Sequence, residues 1–161
     1  MARFHGPLWF APTLAALSIG WAMTIGATPT LAQASGGGAP LASLAYLVGS
    51  VVCHQHPERS FHVAAVQLPV CARCTGLYVG GALGVIAWFI WRSVRPRPAT
   101  ALDPKRAGLA VLIASAPTAI TVVTAFAGLW DPSNIGRATL AFPMGVAAGA
   151  VLAAFASNDL S

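Results

Sequence analysis

Residues 75–91, TGLYVGGALGVIAWFIW, contain no charged side chain and are followed directly by Arg92. A segment of about 17–25 apolar residues is long enough to cross the hydrocarbon core of a bilayer as an α-helix. A charged side chain near the centre of such a helix costs about 2.5–3.5 kcal/mol. We therefore expect residues 75–91 to form a membrane-spanning helix.

The rest of the chain extends this pattern. Charge-free stretches predict three further spans, at about residues 8–27, 107–129 and 138–157. The whole chain is 57% hydrophobic and 8% charged, whereas soluble domains contain about 25% charged residues. This composition excludes a soluble enzyme. It predicts an all-α integral membrane protein, with residues 1–161 forming one membrane domain in the lipid bilayer.

A shorter apolar segment lies between the first two predicted spans. The glycine-rich stretch 36–40 interrupts the apolar region, and residues 41–52 that follow number only about a dozen. That length is typical of an interfacial or re-entrant helix and is too short for a span. We expect this helix to lie at the membrane face and to lead into Cys53.

The first predicted span has an alternative interpretation. Arg3, an apolar run and then Ala32-Gln33-Ala34 resemble a secretory signal peptide with a small-residue cleavage site. The apolar core of a signal peptide is about 7–15 residues long, so the longer run here favours an uncleaved helix. Cleavage would leave the later topology unchanged.

Basic residues predict the orientation of the bundle. The loop at residues 92–106 holds five basic side chains and one acid, Asp103. Lysine and arginine are enriched in cytoplasmic loops. Residues 53–74 then face outward from the cell (inner) membrane, and both termini are cytoplasmic if the first helix is uncleaved. The net charge of +5 is a topology signal of this kind, and we expect no nucleic-acid partner.

Two predicted spans carry small residues on one helix face. These are Gly76, Gly80 and Gly84 on the second span, and Gly145, Gly149 and Ala153 on the last. Small residues at this spacing let helix backbones approach closely in a membrane. They predict close helix packing, and they also allow a homo-oligomer or docking into a larger membrane complex.

Residues 53–76, CHQHPERSFHVAAVQLPVCARCTG, contain all three cysteines and three of the four histidines. Cys71 and Cys74 have C-x-x-C spacing, and Cys53 and His56 have C-x-x-H spacing. Three thiols and one imidazole suit tetrahedral zinc, whereas magnesium and calcium prefer oxygen ligands. The segment therefore predicts a Cys3His zinc site on an outward-facing loop.

The same segment resembles the signature of a family of small multi-pass prokaryotic membrane proteins with no established function. The resemblance rests on CHQ at residues 53–55, PERSF at 57–61 and LPVCARCTG at 68–76, and it extends weakly to Ser133, Asn134 and Arg137. That family keeps a histidine at the position of His54, whereas the position of His56 varies. The resemblance thus implies Cys53, His54, Cys71 and Cys74 as ligands, with His56 as the alternative. The family also often has Asp-Gly where Thr121 and Val122 stand here.

A full Cys3His set leaves zinc no open position, which favours a structural site that pins the 53–74 loop to the second span. Arg59 and Arg73 would offset the negative charge of three thiolates. If the protein is an enzyme instead, Glu58 and Arg59 are the candidate catalytic residues.

The sequence is also compatible with two other functions. A C-x-x-C pair facing an oxidising compartment is also typical of a membrane thiol–disulfide oxidoreductase that uses a quinone. Such enzymes use a second cysteine pair, and only Cys53 is left over here. The third function is an accessory subunit of a larger membrane complex.

The predicted orientation can be tested at Ser93, which lies in the basic loop. A cysteine introduced at Ser93 in a background without native cysteines should be labelled only from the cytoplasmic side. Labelling of intact cells by a membrane-impermeant maleimide would contradict the orientation.

Overall fold

The computed structural model describes residues 9–34, 37–95 and 102–157. Within these residues, the chain forms five α-helices and one two-stranded hairpin. The helices are α1 (Phe10–Gln33), α2 (Gly38–Val52), α3 (Ala72–Val94), α4 (Pro104–Phe126) and α5 (Asn134–Ala156). The hairpin strands are β1 (Ser60–Val63) and β2 (Val66–Cys71), and a short 3-10 turn over Pro57–Arg59 precedes them.

Four of the helices, α1, α3, α4 and α5, are 23 or 24 residues long and apolar enough to cross a membrane. The predicted fold class is therefore confirmed. The intervening helix α2 has 15 residues, in keeping with the shorter helix that the sequence predicted there.

Three spanning helices begin earlier than their charge-free stretches. The helices α3, α4 and α5 start at Ala72, Pro104 and Asn134, three or four residues before the predicted starts. The reason is that Arg73, Lys105 and Arg137 lie within the first turns of these helices. Long basic side chains reach the polar interface from a helix end, so a basic residue does not mark the end of a helix.

The hairpin was not predicted; the sequence analysis treated residues 53–74 as a loop. The strands β1 and β2 pair antiparallel, with Val63 opposite Val66 and His62 opposite Gln67. Ala64 and Ala65 form the turn with φ of 47° and 65°. Two-residue hairpin turns with positive φ at both positions are usually made by Asn or Gly, so this turn carries no sequence signal.

The helices α3 and α5 pack with their backbones in contact. A Cβ atom built on Gly76, Gly80 or Gly84 would collide with main-chain atoms of α5, and one built on Gly145 or Gly149 would collide with main-chain atoms of α3. The two predicted glycine faces therefore pack against each other within the chain. An oligomer would have to use a different surface.

The other helices are arranged around this pair. On α4 the large apolar side chains are mostly exposed, as at Leu112 and Val123, which is expected of a helix that faces lipid. The hydroxyl of Thr118 donates to the carbonyl of Leu140 at 2.9 Å and ties α4 to α5. Ile25 of α1 is buried against the hairpin.

Several elements of the sequence analysis lie outside the described residues. These are Arg3, Ser35 directly after the signal-peptide-like residues 32–34, and the basic-loop residue Arg97.

The helix contact makes a matched prediction at two adjacent glycines. Gly80→Ala should destabilise the protein by about 1–3 kcal/mol, because its Cβ would meet the carbonyl of Phe142 in a rigid backbone. Gly81→Ala is the control, since its Cβ would lie an ordinary 3.8 Å from the carbonyl oxygen of Gly145. Thermal denaturation in detergent measures both, and equal midpoints would contradict the packing.

Candidate metal centre

Three cysteine thiols meet at one end of the bundle. Cys53 follows α2, Cys71 ends β2 and Cys74 lies in the first turn of α3. Their sulfur atoms all lie within 4.8 Å of one another, and all three cysteines are free thiols. A tetrahedral zinc ion with Zn–S distances of about 2.3 Å holds its sulfurs about 3.8 Å apart. The three thiols, here called the thiol cluster, could therefore hold a metal ion after small side-chain movements.

Backbone amides point at the sulfur of Cys53. The N–H of Cys71 donates to this sulfur at 3.2 Å, and the N–H of Gln55 donates to it at 3.5 Å. Donors to a sulfur stabilise its thiolate form, which is the form that binds metals. Cys53 itself is buried, so these two amides replace water around it.

Cys71 occupies the N-cap position of α3. Its pKa is lowered to about 5, chiefly because the Cys74 thiol donates a hydrogen bond to its sulfur, while burial opposes the shift. Amides of Arg73 and Cys74 in the first turn of the helix also stabilise the Cys71 thiolate. Because α3 begins at Ala72, its N-terminal amides lie at Cys71.

The two candidate histidines lie beside the thiol cluster without joining it. Both His54 and His56 are exposed, and their rings stack with centroids 6.1 Å apart. His56 Nδ1 lies 3.6 Å from a carboxylate oxygen of Glu58. Within the described part of the chain, only Cys53, Cys71 and Cys74 bring ligand atoms together here.

The candidate catalytic residues also lie outside the thiol cluster. Glu58 and Arg59 belong to the exposed 3-10 turn. The guanidinium of Arg73 contacts α4, where its Nη2 donates to Thr121 Oγ1 at 3.4 Å. Thr121 is the first of the two positions at which the family that this sequence resembles often has Asp-Gly.

Two glutamine side chains hold the segments that carry Cys53 and Cys71. Gln55 Nε2 donates to the carbonyls of Tyr46 at 2.8 Å and Pro69 at 2.7 Å. Gln67 Nε2 donates to the carbonyl of Gln55 at 2.7 Å. These bonds tie α2, the segment after it and β2 together. No sequence pattern predicted a role for either glutamine, although Gln55 lies inside the CHQ part of the family signature.

The first turn of α5 contacts strand β1 of the hairpin. Asn134 Nδ2 donates to the carbonyl of Ser60 at 3.0 Å, and Asn134 Oδ1 accepts from Arg137 at 2.8 Å. The buried Arg137 guanidinium forms a two-bond ion pair with Asp131, at 3.2 and 2.6 Å. This hydrogen-bonded pair holds the pKa of Asp131 below its usual value. Asn134 and Arg137, which belong to the weaker part of the family resemblance, thus help to position β1.

The side of the thiol cluster that faces the bundle is apolar. Cys53 is buried with Ile25, Leu68 and Val70, and Tyr78 packs against this group. Apolar surroundings strengthen electrostatic interactions between an ion and its thiolates, since little water is present to screen them.

Comparison with known proteins gives a family and two relatives. The family model described as "Predicted membrane protein (DUF2085)" matches residues 53–151. An uncharacterized protein of Methanothermobacter thermautotrophicus is 34% identical over 95 residues, which cover 59% of this chain and 78% of that protein. An uncharacterized protein of Methanocaldococcus jannaschii is 46% identical over 43 residues, which cover 27% of this chain and 28% of that protein. No solved structure matches the chain.

The acidity of Cys71 can be measured in reduced, metal-free protein. Its alkylation by iodoacetamide should have a pH midpoint near 5, because the thiolate persists above that pH and is protonated below it. Cys74→Ala should raise the midpoint towards 9, since it removes the main hydrogen-bond donor. Peptide mass spectrometry after pulsed labelling reads out Cys71 alone, and a wild-type midpoint above 8 would contradict this geometry.

Proposed function

The chain belongs to the DUF2085 family of predicted membrane proteins, and we propose that it binds one zinc ion through its thiol cluster. The observation that carries the proposal is the meeting of three free thiols from three separate elements within 4.8 Å. The ion would join the end of α2, the end of β2 and the start of α3. Its function is then to fasten the hairpin to the membrane bundle.

The energetics favour such a role. A two-stranded hairpin is only marginally stable in water, and this one has strands of four and six residues and an alanine turn. Structural zinc contributes about 10–16 kcal/mol of apparent binding energy in small zinc-finger peptides. Metal binding at the thiol cluster would therefore contribute substantially to ordering residues 53–71.

His54 is our proposed fourth ligand. It is the neighbour of Cys53 and it is exposed, so its ring can turn towards the thiols at the cost of its stacking contact with His56. His56 is less suited because its Nδ1 already lies near Glu58. A complete Cys3His shell favours a structural ion over a hydrolytic one, since no position is left for water.

Three thiolates bind zinc in preference to cations that favour oxygen ligands. The excess negative charge of the thiolates needs compensation. The amides that donate to Cys53 and Cys71 supply part of it. Arg59 and Arg73 were expected to supply the rest; the guanidinium of Arg73 instead contacts Thr121.

We further propose that the zinc site lies on the outer face of the cell (inner) membrane. The support is the basic loop at the opposite end of α3. Both termini are then cytoplasmic if α1 is not cleaved. A homo-oligomer or a larger membrane complex would use surfaces other than the two glycine faces, which are occupied within the chain.

A specific contact favours a second function, that of a thiol–disulfide oxidoreductase that uses a quinone. Cys71 lies at a helix N-terminus and accepts a hydrogen bond from the thiol of Cys74. In that reaction the two thiols would form one S–S bond and release two electrons and two protons to a quinone, which becomes a quinol. The single remaining cysteine, Cys53, lacks the partner that a second redox pair would need.

Metal analysis of the purified protein tests the zinc proposal. We expect one zinc per chain, with all three thiols unreactive to maleimide until a chelator is added. Cys53→Ser, Cys71→Ser and Cys74→Ser should each abolish tight binding. His54→Ala should weaken zinc binding by more than His56→Ala, which serves as the matched control.

The redox function predicts a different profile. The protein would then contain no metal, Cys71 and Cys74 would be isolated as a disulfide, and Cys53→Ser would leave that disulfide able to form. This result would overturn the zinc proposal.

A further inference from the structure

A small cleft lies on the α4 side of the site, formed by the 3-10 turn, the first turn of α3 and the end of α4. Its volume is about 80 Å³. Its lining residues are Arg59, Arg73, Val122, Ala125, Phe126 and Asp131. Because liquid water occupies about 30 Å³ per molecule, this volume fits roughly two or three waters or one small oxyanion.

The charge of the cleft is unbalanced. Both carboxylate oxygens of Asp131 already accept hydrogen bonds from Arg137, which lies next to the cleft. The guanidinium groups of Arg59 and Arg73 also lie near Asp131. Three positive charges thus face one carboxylate, and two of them have no negative partner in the cleft. The other acid at this end, Glu58, lies beside His56.

Arg73 has donor capacity left over. Its Nη2 has a neutral partner, Thr121, at the long distance of 3.4 Å. Its Nε atom is buried and has no hydrogen-bond partner among the described residues. A buried donor without a partner costs about 1–3 kcal/mol, and more when it is charged. An anionic acceptor in the cleft would remove that cost.

The surroundings place the cleft at the depth of lipid headgroups. Phe126, the last residue of α4, is 90% exposed, and Trp130 in the loop that follows is 52% exposed. Exposed aromatic side chains at the end of a spanning helix are typical of the membrane interface. A molecule bound in the cleft can therefore extend along Phe126 into the bilayer.

We propose that this cleft binds the phosphate group of an anionic phospholipid. Guanidinium groups match the geometry of phosphate oxygens and bind them with two parallel hydrogen bonds. The cleft has room for the phosphate alone, so the glycerol and acyl chains would lie outside it, against α4. Free phosphate offers the same chemistry, and the experiment separates the two sources. The inference is independent of the metal.

Purified full-length protein in detergent can be titrated with phosphatidylglycerol, phosphatidylcholine or inorganic phosphate while its thermal midpoint is followed. Phosphatidylglycerol should raise the midpoint, and phosphatidylcholine should not. Arg73→Gln and Arg59→Gln should each raise the half-saturating amount of phosphatidylglycerol about tenfold, the effect of one lost charge-assisted bond. Arg59 is exposed, so its variant should fold even if the Arg73 variant does not.

The matched control is Arg106→Gln. It removes the same charge from an exposed arginine at the other end of α4, and its titration should match that of the wild type. If inorganic phosphate raises the thermal midpoint of the wild type but not of Arg59→Gln, and phosphatidylglycerol has no effect, the cleft binds free phosphate and the phospholipid proposal is wrong. If neither anion acts on the wild type, or if Arg59→Gln responds as the wild type does, the cleft is not an oxyanion site.

Discussion

The backbones of α3 and α5 touch along three helical turns, because glycine lines both faces. Within a membrane no hydrophobic effect draws helices together, so contacts of this closeness must supply the attraction. The contact also sets the positions of both helix starts, which lie at the same end of the bundle. The first turn of α3 carries Cys74, and the first turn of α5 carries Asn134, which hydrogen-bonds to the hairpin. The thiol cluster thus depends on a helix contact that contains no chemically reactive group.

The hairpin is held in place by side chains that hydrogen-bond to its unpaired backbone groups. A two-stranded sheet leaves half of its carbonyl and amide groups unpaired, and each buried one must find another partner. The amide of Gln55 satisfies the carbonyl of Pro69, and Tyr46 donates to the carbonyl of Gln67. Gly49 allows α2 to press against β2 at Pro69. The sulfur of Cys53 is a further acceptor in this arrangement, because the N–H of Cys71 at the end of β2 donates to it.

The four candidate spans could be predicted from the distribution of charged residues, because ionisable groups are expensive in the bilayer core. Arg73 and Arg137 nevertheless made the predicted helices too short. The glycine faces could be predicted because their spacing repeats every helical turn. The hairpin could not, since Ala64 and Ala65 adopt positive φ without the residues that usually do so. The roles of Gln55 and Gln67 depend on carbonyl groups more than ten residues away, which no local pattern encodes. The positions of His54 and His56 could not be predicted either, because exposed side chains are not placed by packing in a core.

Arg73 lies between the two sites that we propose at this end of the molecule. It stands between Cys71 and Cys74 in the sequence, yet its guanidinium reaches Thr121 on α4. Successive residues on an α-helix point about 100° apart, so a single turn can direct Cys74 towards the hairpin and Arg73 towards α4. The charge of Arg73 is then available to the cleft, and the thiolates rely on backbone amides for compensation. A helix start that carries Cys71, Arg73 and Cys74 can therefore serve the two proposed ligands of opposite charge, a cation on one side and an oxyanion on the other.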